Sequence, residues 1–323
     1  MSESSQPSRP SRDPWVGSVL DDRYRIIRRI GKGGMGSVYL AEHVLIRRQV
    51  AIKTLHPTLS ESAEVIERFQ REAVAAAAVG NEHIVGVTDM GQLEDGTYYL
   101  ALEYLEGSEV AHKVESEGLF DVASSLALGL QLCDALTAVH AAGIVHRDLK
   151  PENLFLVKRG SPPADFLKIV DFGVCKFREA EQNVRLTATG VALGTPHFMA
   201  PEQIEGRRDV DLRADIYAVG GILHFVLAGA TPFAAASMPR LFTQICQQPP
   251  PPLRTLRDDV PAALERAVLR ALAKEPDQRP PSMRDFYAEF TVHERKSLPA
   301  GRASMVPLPS GMHLSSGYGD FAP

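Results

Sequence analysis

His146-Arg147-Asp148-Leu149-Lys150-Pro151-Glu152-Asn153 decides how this 323-residue chain is read. Two carboxylates, two strong cations, a histidine and an amide sit together there, with a proline that disfavours helix at Lys150. Apolar residues flank the stretch, Gly143-Ile144-Val145 before it and Leu154-Phe155-Leu156-Val157 after it. A charged loop between two buried segments is costly unless its charges have partners or work to do. A merely solvated loop is the plain alternative. Against it stands a short strand-like run, Phe166 to Val170, that leads straight into Asp171-Phe172-Gly173.

Upstream, Tyr24-Arg25-Ile26-Ile27 begins a strand that runs into Gly31-Lys32-Gly33-Gly34-Met35-Gly36 and then Ser37-Val38-Tyr39-Leu40. A GxGxxG pattern alone is weak. Lying between two strand-like runs with no helix behind it, it argues against a dinucleotide fold and for a hairpin. Glycines there let backbone N–H groups close over phosphates, although plain hairpins use glycines too. Val50-Ala51-Ile52-Lys53 alternates as a strand with Lys53 in an apolar setting. The next helix is expected over Ser60–Val79, stopping at Gly80-Asn81. Val65, Phe69, Glu72 and Ala76 share one of its faces, so Glu72 is the natural partner for Lys53; Ile66, Phe69, Ala73 and Ala77 form a competing stripe that would leave Glu72 at the rim. A further helix is expected over Asp121–Ala142, with Leu126, Leu130, Cys133 and Leu136 on one face and Gly143 at its end.

His146-Arg147-Asp148 with Asn153, followed by Asp171-Phe172-Gly173, resembles the catalytic loop and metal-binding turn of eukaryotic-type protein kinases, in their bacterial serine/threonine (Hanks-type) branch. The resemblance runs from about Tyr24 to Phe290. It implies an α+β, two-lobed protein-kinase-like fold: an N-lobe with an antiparallel sheet and one helix over about 23–105, and a mainly helical C-lobe over about 106–290. Two tails, 1–22 rich in Ser, Pro, Arg and Asp and 291–323 rich in Ser, Pro, Gly and Met, are expected to be disordered. By the same resemblance Asp148 is the catalytic base and Lys150 neutralises the transferring phosphoryl group. Lys53, oriented by Glu72, would hold the α- and β-phosphates, and Asn153 and Asp171 would hold Mg2+, or Mn2+ in its place. Ile30, Gly31, Gly33, Gly36, Val38, Ala51 and Phe155 would enclose ATP, with backbone groups of Glu103 and Leu105 on the adenine and Leu102 at the back of the pocket. Phe155 is bulkier than the leucine or methionine usual in that place.

The resemblance also implies protein substrates with Ser or Thr acceptors. Thr187 and Thr189 fall where bacterial relatives carry activating phosphothreonines, with Arg147 and Lys176 as the phosphate pocket. A transient homodimer for trans-autophosphorylation is compatible with it. Glu202 and Arg279 match an ion pair fastening the activation segment, and Asp215 a brace under the catalytic loop. Glu109 and Glu152 match positions that read arginines upstream of the acceptor. A pseudokinase, binding nucleotide as a signalling scaffold, is the rival class. Its usual sign is loss of the lysine, the base or a metal ligand, yet Lys53, Glu72, Asp148, Asn153 and Asp171 are all present.

Bulk properties agree. Hydrophobic residues make up 44% and charged residues 23%, as in a globular protein. A formal net charge of −5 gives no basic excess of the kind nucleic acid would call for. Three cysteines, Cys133, Cys175 and Cys246, have no metal-ligand spacing, and their odd number argues against a disulfide framework, so a reducing cytoplasmic setting is the expectation. No signal peptide is visible at the N-terminus. The uncharged stretch Ile216–Ala236 is broken by His224, Gly220-Gly221 and Thr231-Pro232, so a buried core helix is expected there and no membrane span.

Overall fold

The computed structural model describes residues 13–33, 36–60, 62–160, 164–171 and 196–289. Strands β1 (Val19–Leu20), β2 (Tyr24–Lys32), β3 (Gly36–His43), β4 (Gln49–Leu55), β5 (Val87–Gln92) and β6 (Tyr98–Glu103) form one antiparallel sheet in the order β1-β2-β3-β4-β6-β5. Alternating side chains give this sheet two apolar faces. Ile26, Tyr39, Ala41, Ile52, Tyr99 and Ala101 line one. Ala51, Leu55, Leu100 and Leu102 line the other, where they meet Phe69 and Ala73 of helix α1 (Ala63–Val79). Ser62 caps α1 and Gly80 ends it in the left-handed conformation at φ 62°. The expected start at Ser60 moves inward, because Pro57–Leu59 form a separate 3-10 turn.

The boundary expected at residue 22 also moves. Val19 and Leu20 pair with Arg25 and Tyr24, and the Trp15 ring stacks on Tyr39 at 5.7 Å, so residues 13–22 belong to the sheet's outer face. The polar average of residues 1–22 hid Trp15 and Leu20, whose burial supplies the seat.

Beyond residues 104–106, the hinge between the lobes, come strand β7 (Gly107–Glu109), helices α2 (Val110–Glu117) and α3 (Val122–Ala141), and strands β8 (Leu154–Arg159) and β9 (Ala164–Ile169), with β7, β8 and β9 in a second sheet. Helices α4 (Pro201–Ile204), α5 (Arg213–Ala228), α6 (Met238–Gln247) and α7 (Ala262–Ala271) complete the larger lobe. Helix α5 is the expected core helix, with Ile216, Val219, Ile222, Leu223, Val226 and Leu227 all buried, and Gly229 stops it at φ 72°. One helix among the described residues, α3, is long and apolar enough to cross a membrane; its Leu128, Leu132, Cys133, Leu136 and Val139 lie in the same core as α5. The lobes are joined at a parallel bridge between Ile84 and Ile169, where Val85 N–H donates to the Ile169 carbonyl at 2.9 Å.

Arg279 is buried and every guanidinium N–H group finds an acceptor. Nη1 and Nη2 donate to the two Glu202 oxygens at 2.6 and 2.8 Å; the other bonds go to the Ala273, Arg213 and Lys274 carbonyls. Removing one partner of such a buried pair leaves an uncompensated charge. Arg279→Met should therefore lower unfolding stability by about 3–5 kcal/mol, read as a shifted midpoint in urea titration. Pairing it with Glu202→Gln should recover part of that loss.

Candidate active site

The register of β4 sets Lys53 opposite Val38 on one side and Leu100 on the other, on the sheet face that α1 covers. Burying Phe69, Ala73 and Ala76 turns Glu72 of α1 toward that lysine. Asp171 arrives from the other lobe at the end of β9. Lys53 Nζ donates to Glu72 Oε1 and to Asp171 Oδ1, each at 2.8 Å. One ammonium thus serves two carboxylates away from water. Burial works against the lysine's charge, but the two acids overcome it and hold its pKa above the ordinary range. Glu72 is pushed up to about 8, first by burial and then by Asp171, because a single cation cannot balance both acids.

The catalytic loop is built on Asp215, wholly buried in the first turn of α5. Its carboxylate accepts the N–H groups of His146 at 2.9 Å and Arg147 at 2.8 Å, and meets His140 Nε2 of α3 at 2.8 Å. Arg147 adopts φ 66°, a conformation unusual for a residue with a side chain. Its carbonyl accepts from Gln203 Nε2 at 2.9 Å, and its Nη2 donates to the Val210 carbonyl at 3.2 Å. Next along the chain, Asn153 Nδ2 donates to the Asp148 carbonyl at 2.9 Å and to Asp148 Oδ2 at 3.1 Å. Asn153's own carbonyl accepts from Val170 N–H at 3.0 Å, tying the loop to the residue before Asp171. His146 is fully buried and also touches the Asp171 backbone; burial holds its imidazole below the ordinary range. Lys150 is half-buried in extended backbone beside these groups.

The structure therefore brings Lys53, Glu72, Asp171, Asn153 and Asp148 into one connected chain of contacts. The glycine-rich hairpin lies above, with Gly31 opposite Val38 and Gly33 N–H donating to the Gly36 carbonyl at 2.8 Å. Gly36 carries a packing reason besides phosphate access: a Cβ there would lie 1.7 Å from the Thr54 carbonyl oxygen of β4. Ala51 and Leu102 are buried, Ile30 is partly exposed at 38%, and Phe155 is half-buried on β8. Leu102 lines a small cavity with Glu72, Ala76 and Val170, in keeping with a place at the back of the pocket. Glu103 N–H is committed to the Gly86 carbonyl at 2.8 Å, so of its backbone groups only the carbonyl can face a ligand; Leu105 is half-buried just beyond it. Thr187, Thr189 and Lys176 lie outside the described residues, as do Phe172 and Gly173.

Three contributors escaped the sequence reading. Lys168, buried on β9, pairs with the Glu103 side chain and reaches the Ile84 carbonyl at 3.3 Å, so it links the hinge to the strand that carries Asp171. The signal was available: a lysine inside Phe166-Leu167-Lys168-Ile169-Val170 poses the same question as Lys53. His140 and Gln203 gave none, since each meets its partner only through the tertiary fold.

A divalent cation fits this donor set. The Asp171 carboxylate has a second oxygen beyond the one bonded to Lys53, and the Asn153 amide, with its nitrogen turned to Asp148, offers its oxygen as the remaining ligating end. Hard cations take such oxygens and complete their shell with water or phosphate oxygens. No group of three or more His, Cys, Asp or Glu suited to a metal occurs among the described residues, so phosphate oxygens would have to share in holding it.

The raised Glu72 pKa has a sign that stability can report. Between about 4.5 and 8 the folded protein holds a proton that the unfolded chain has released, so stability falls as pH rises through that window. Thermal unfolding of the nucleotide-free protein should show a melting temperature that drops from pH 5.5 to pH 8. The drop should be smaller in Glu72→Gln.

Comparison with known proteins agrees with the geometry. The protein kinase domain family matches residues 24–290. The chain is 41% identical over 307 residues to the serine/threonine-protein kinase Pkn1 of Myxococcus xanthus, covering 93% of this chain and 43% of that one. It is 34% identical over 275 residues to the serine/threonine-protein kinase PrkC of Bacillus subtilis, covering 85% of this chain and 41% of the relative. It thus spans about half the length, or less, of the curated relatives it matches. Among solved structures, the PknI kinase domain of Mycobacterium tuberculosis superposes with a TM-score of 0.66 at 28% identity, covering 86% of this chain and 98% of the other. A buried lysine shared by two acids, a braced loop carrying Asp148 and Asn153, and a family match over nearly the whole described chain lead to one assignment: this chain belongs to the protein kinase family.

Proposed function

We propose that this chain is a serine/threonine protein kinase that transfers the γ-phosphate of ATP to protein hydroxyls. The observation that carries the reading is the contact chain from Glu72 through Lys53 to Asp171, with Asn153 bonded to Asp148 beside it. Phosphoryl transfer demands mainly positioning and charge neutralisation. Lys53 would bind the α- and β-phosphates, and Asp171 and Asn153 would hold Mg2+, with Mn2+ as a substitute. The metal supplies neutralisation of phosphate charge. Asp148 would align the acceptor hydroxyl and take its proton, and Lys150 would neutralise the moving phosphoryl group. Ile30, Val38, Ala51 and Phe155 would enclose the adenine. Lys150, two residues after Asp148, is the lysine that goes with serine and threonine acceptors in this family.

Autophosphorylation at Thr187 and Thr189 is the proposed activating step, through a transient homodimer, with Arg147 and Lys176 receiving the phosphate. An acceptor peptide with upstream arginines is the proposed substrate. Glu152 Oε2 is buried with no hydrogen-bond partner among the described residues. Glu109 is raised first by burial and then by Glu152, and His112 and Lys150 offset this only in part. An incoming guanidinium would add a charge bonded directly to the carboxylates.

Transfer of radiolabelled phosphate from Mg-ATP to an arginine-rich Ser/Thr peptide tests the reading. Asp148→Asn should reduce kcat by about 10²–10⁴-fold. Phosphosite mapping should find modified Thr187 and Thr189 in the wild type and none in Lys53→Met. Nucleotide binding with transfer no faster than Asp148→Asn would replace the enzyme by a signalling scaffold.

A further inference from the structure

The sheet's outer face carries an arrangement that the catalytic reading leaves unused. Asp13 Oδ2 accepts from Arg29 Nη1 at 3.0 Å and from the Tyr39 hydroxyl at 3.2 Å, while its Oδ1 accepts from Trp15 N–H at 3.1 Å. The Trp15 ring stacks on the Tyr39 ring with planes 14° apart. The Asp13 side chain is only 15% exposed. Residues 13–20 thus form a strap seated on β2 and β3.

Its point of attachment is specific. Arg29 and Tyr39 are direct cross-strand partners, and the register shifts immediately beyond them, between Arg29 and Gly31. Ile30, expected over the adenine, sits in that irregularity. Only two more pairs follow, Gly31 with Val38 and Lys32 with Ser37, before the glycine-rich turn. A bulge interrupts the ladder and increases local twist, so the hairpin beyond it is held less firmly by backbone bonds. The two strands are also held unequally. β3 continues against β4 as far as Gly36 and Leu55, whereas β1 and the adjoining Ser18 and Gly17 bond β2 no further than Ile26. Among the described residues the outer edge of β2 beyond Ile26 is therefore without a strand partner, and the Asp13–Arg29 bond grips it just before the irregularity.

We propose that Asp13 is a positioning residue for nucleotide binding: by clamping the Arg29–Tyr39 pair from the outer face, it holds β2 and β3 at the base of the glycine-rich hairpin in the register that binds ATP. This rests on the kinase reading above. Losing the clamp lowers the fraction of molecules whose hairpin is competent to bind, and apparent affinity falls by that fraction. Asp148, Lys53 and Asp171 stand on other elements, so the chemical step at saturating ATP is untouched.

The test compares Asp13→Asn, Asp13→Glu and Tyr39→Phe in the full chain, with calorimetric Mg-ATP affinity measured beside kcat and the KM values for ATP and peptide. Asp13→Asn should raise both Kd and KM for ATP about three- to tenfold, with kcat and peptide KM within about twofold. Asp13→Glu should restore most of the affinity, and Tyr39→Phe, which keeps the stack and loses one bond, should lie between. Unchanged ATP affinity with a lowered melting temperature would reduce the strap to a structural cover and overturn the proposal, as would a fall in kcat alone. Should Asp13→Asn fail to fold, Tyr39→Phe and Arg29→Gln decide the matter by the same readouts. A wild type that neither binds Mg-ATP nor transfers phosphate would instead overturn the kinase reading itself.

Discussion

Asp215 accepts two backbone N–H groups from the catalytic loop and meets His140 from a neighbouring helix, all without exposure to solvent. A buried carboxylate would be prohibitively costly without such partners, and hydrogen bonds to a charged acceptor are among the stronger ones. Its place in the first turn of α5 adds the favourable end of a helix dipole. The gain is spent on shape. Arg147 at φ 66° is a strained conformation, worth about 1–3 kcal/mol, that persists only where surroundings over-determine it. Asp215 on its N–H and Gln203 on its carbonyl provide that over-determination. The turn leaves Asp148 half-buried and holds the buried Asn153 against it, with Leu154 and Leu156 running on into the core.

Lys53 is the second fixed point, and its logic is electrostatic. Its two acids are 19 and 118 residues away in sequence, one from each lobe. The contact therefore registers the smaller sheet against the larger lobe as well as placing a cation. The Lys168–Glu103 pair and the Ile84–Ile169 bridge repeat the inter-lobe linkage on the hinge side. Between them the cleft is bounded by ionic ties at both edges.

The parts that sequence could read were those whose signal is local. Gly80 and Gly229 end helices at positive φ, Asp121 caps α3 through the Ser124 N–H at 2.6 Å, and alternation around Lys53 marks β4. Glu72 was legible because helical spacing left two stripes, one of which put an acid beside an apolar face. Partners joined only by the tertiary fold were not legible: His140 with Asp215, Gln203 with the Arg147 carbonyl. Composition misled once. Averaging residues 1–22 as polar concealed Asp13, Trp15 and Leu20, a pattern too short to register as periodic but sufficient to cover Tyr39.

The two lobes hold their functional groups by different means. In the larger lobe Asp148 and Asn153 bond each other, and the residues just before them, His146 and Arg147, are held by Asp215 of the almost fully buried central helix. The hairpin over the nucleotide has no such core. It projects from an edge of a single sheet, with an irregularity at its base and glycines at its tip. Local opening is cheapest where buried apolar contacts are few. A strap at the hairpin's base can limit such opening without occupying the cleft. Asp13 and Trp15 lie on the face opposite α1, where they can stiffen the hairpin's base and leave the cleft side to the nucleotide.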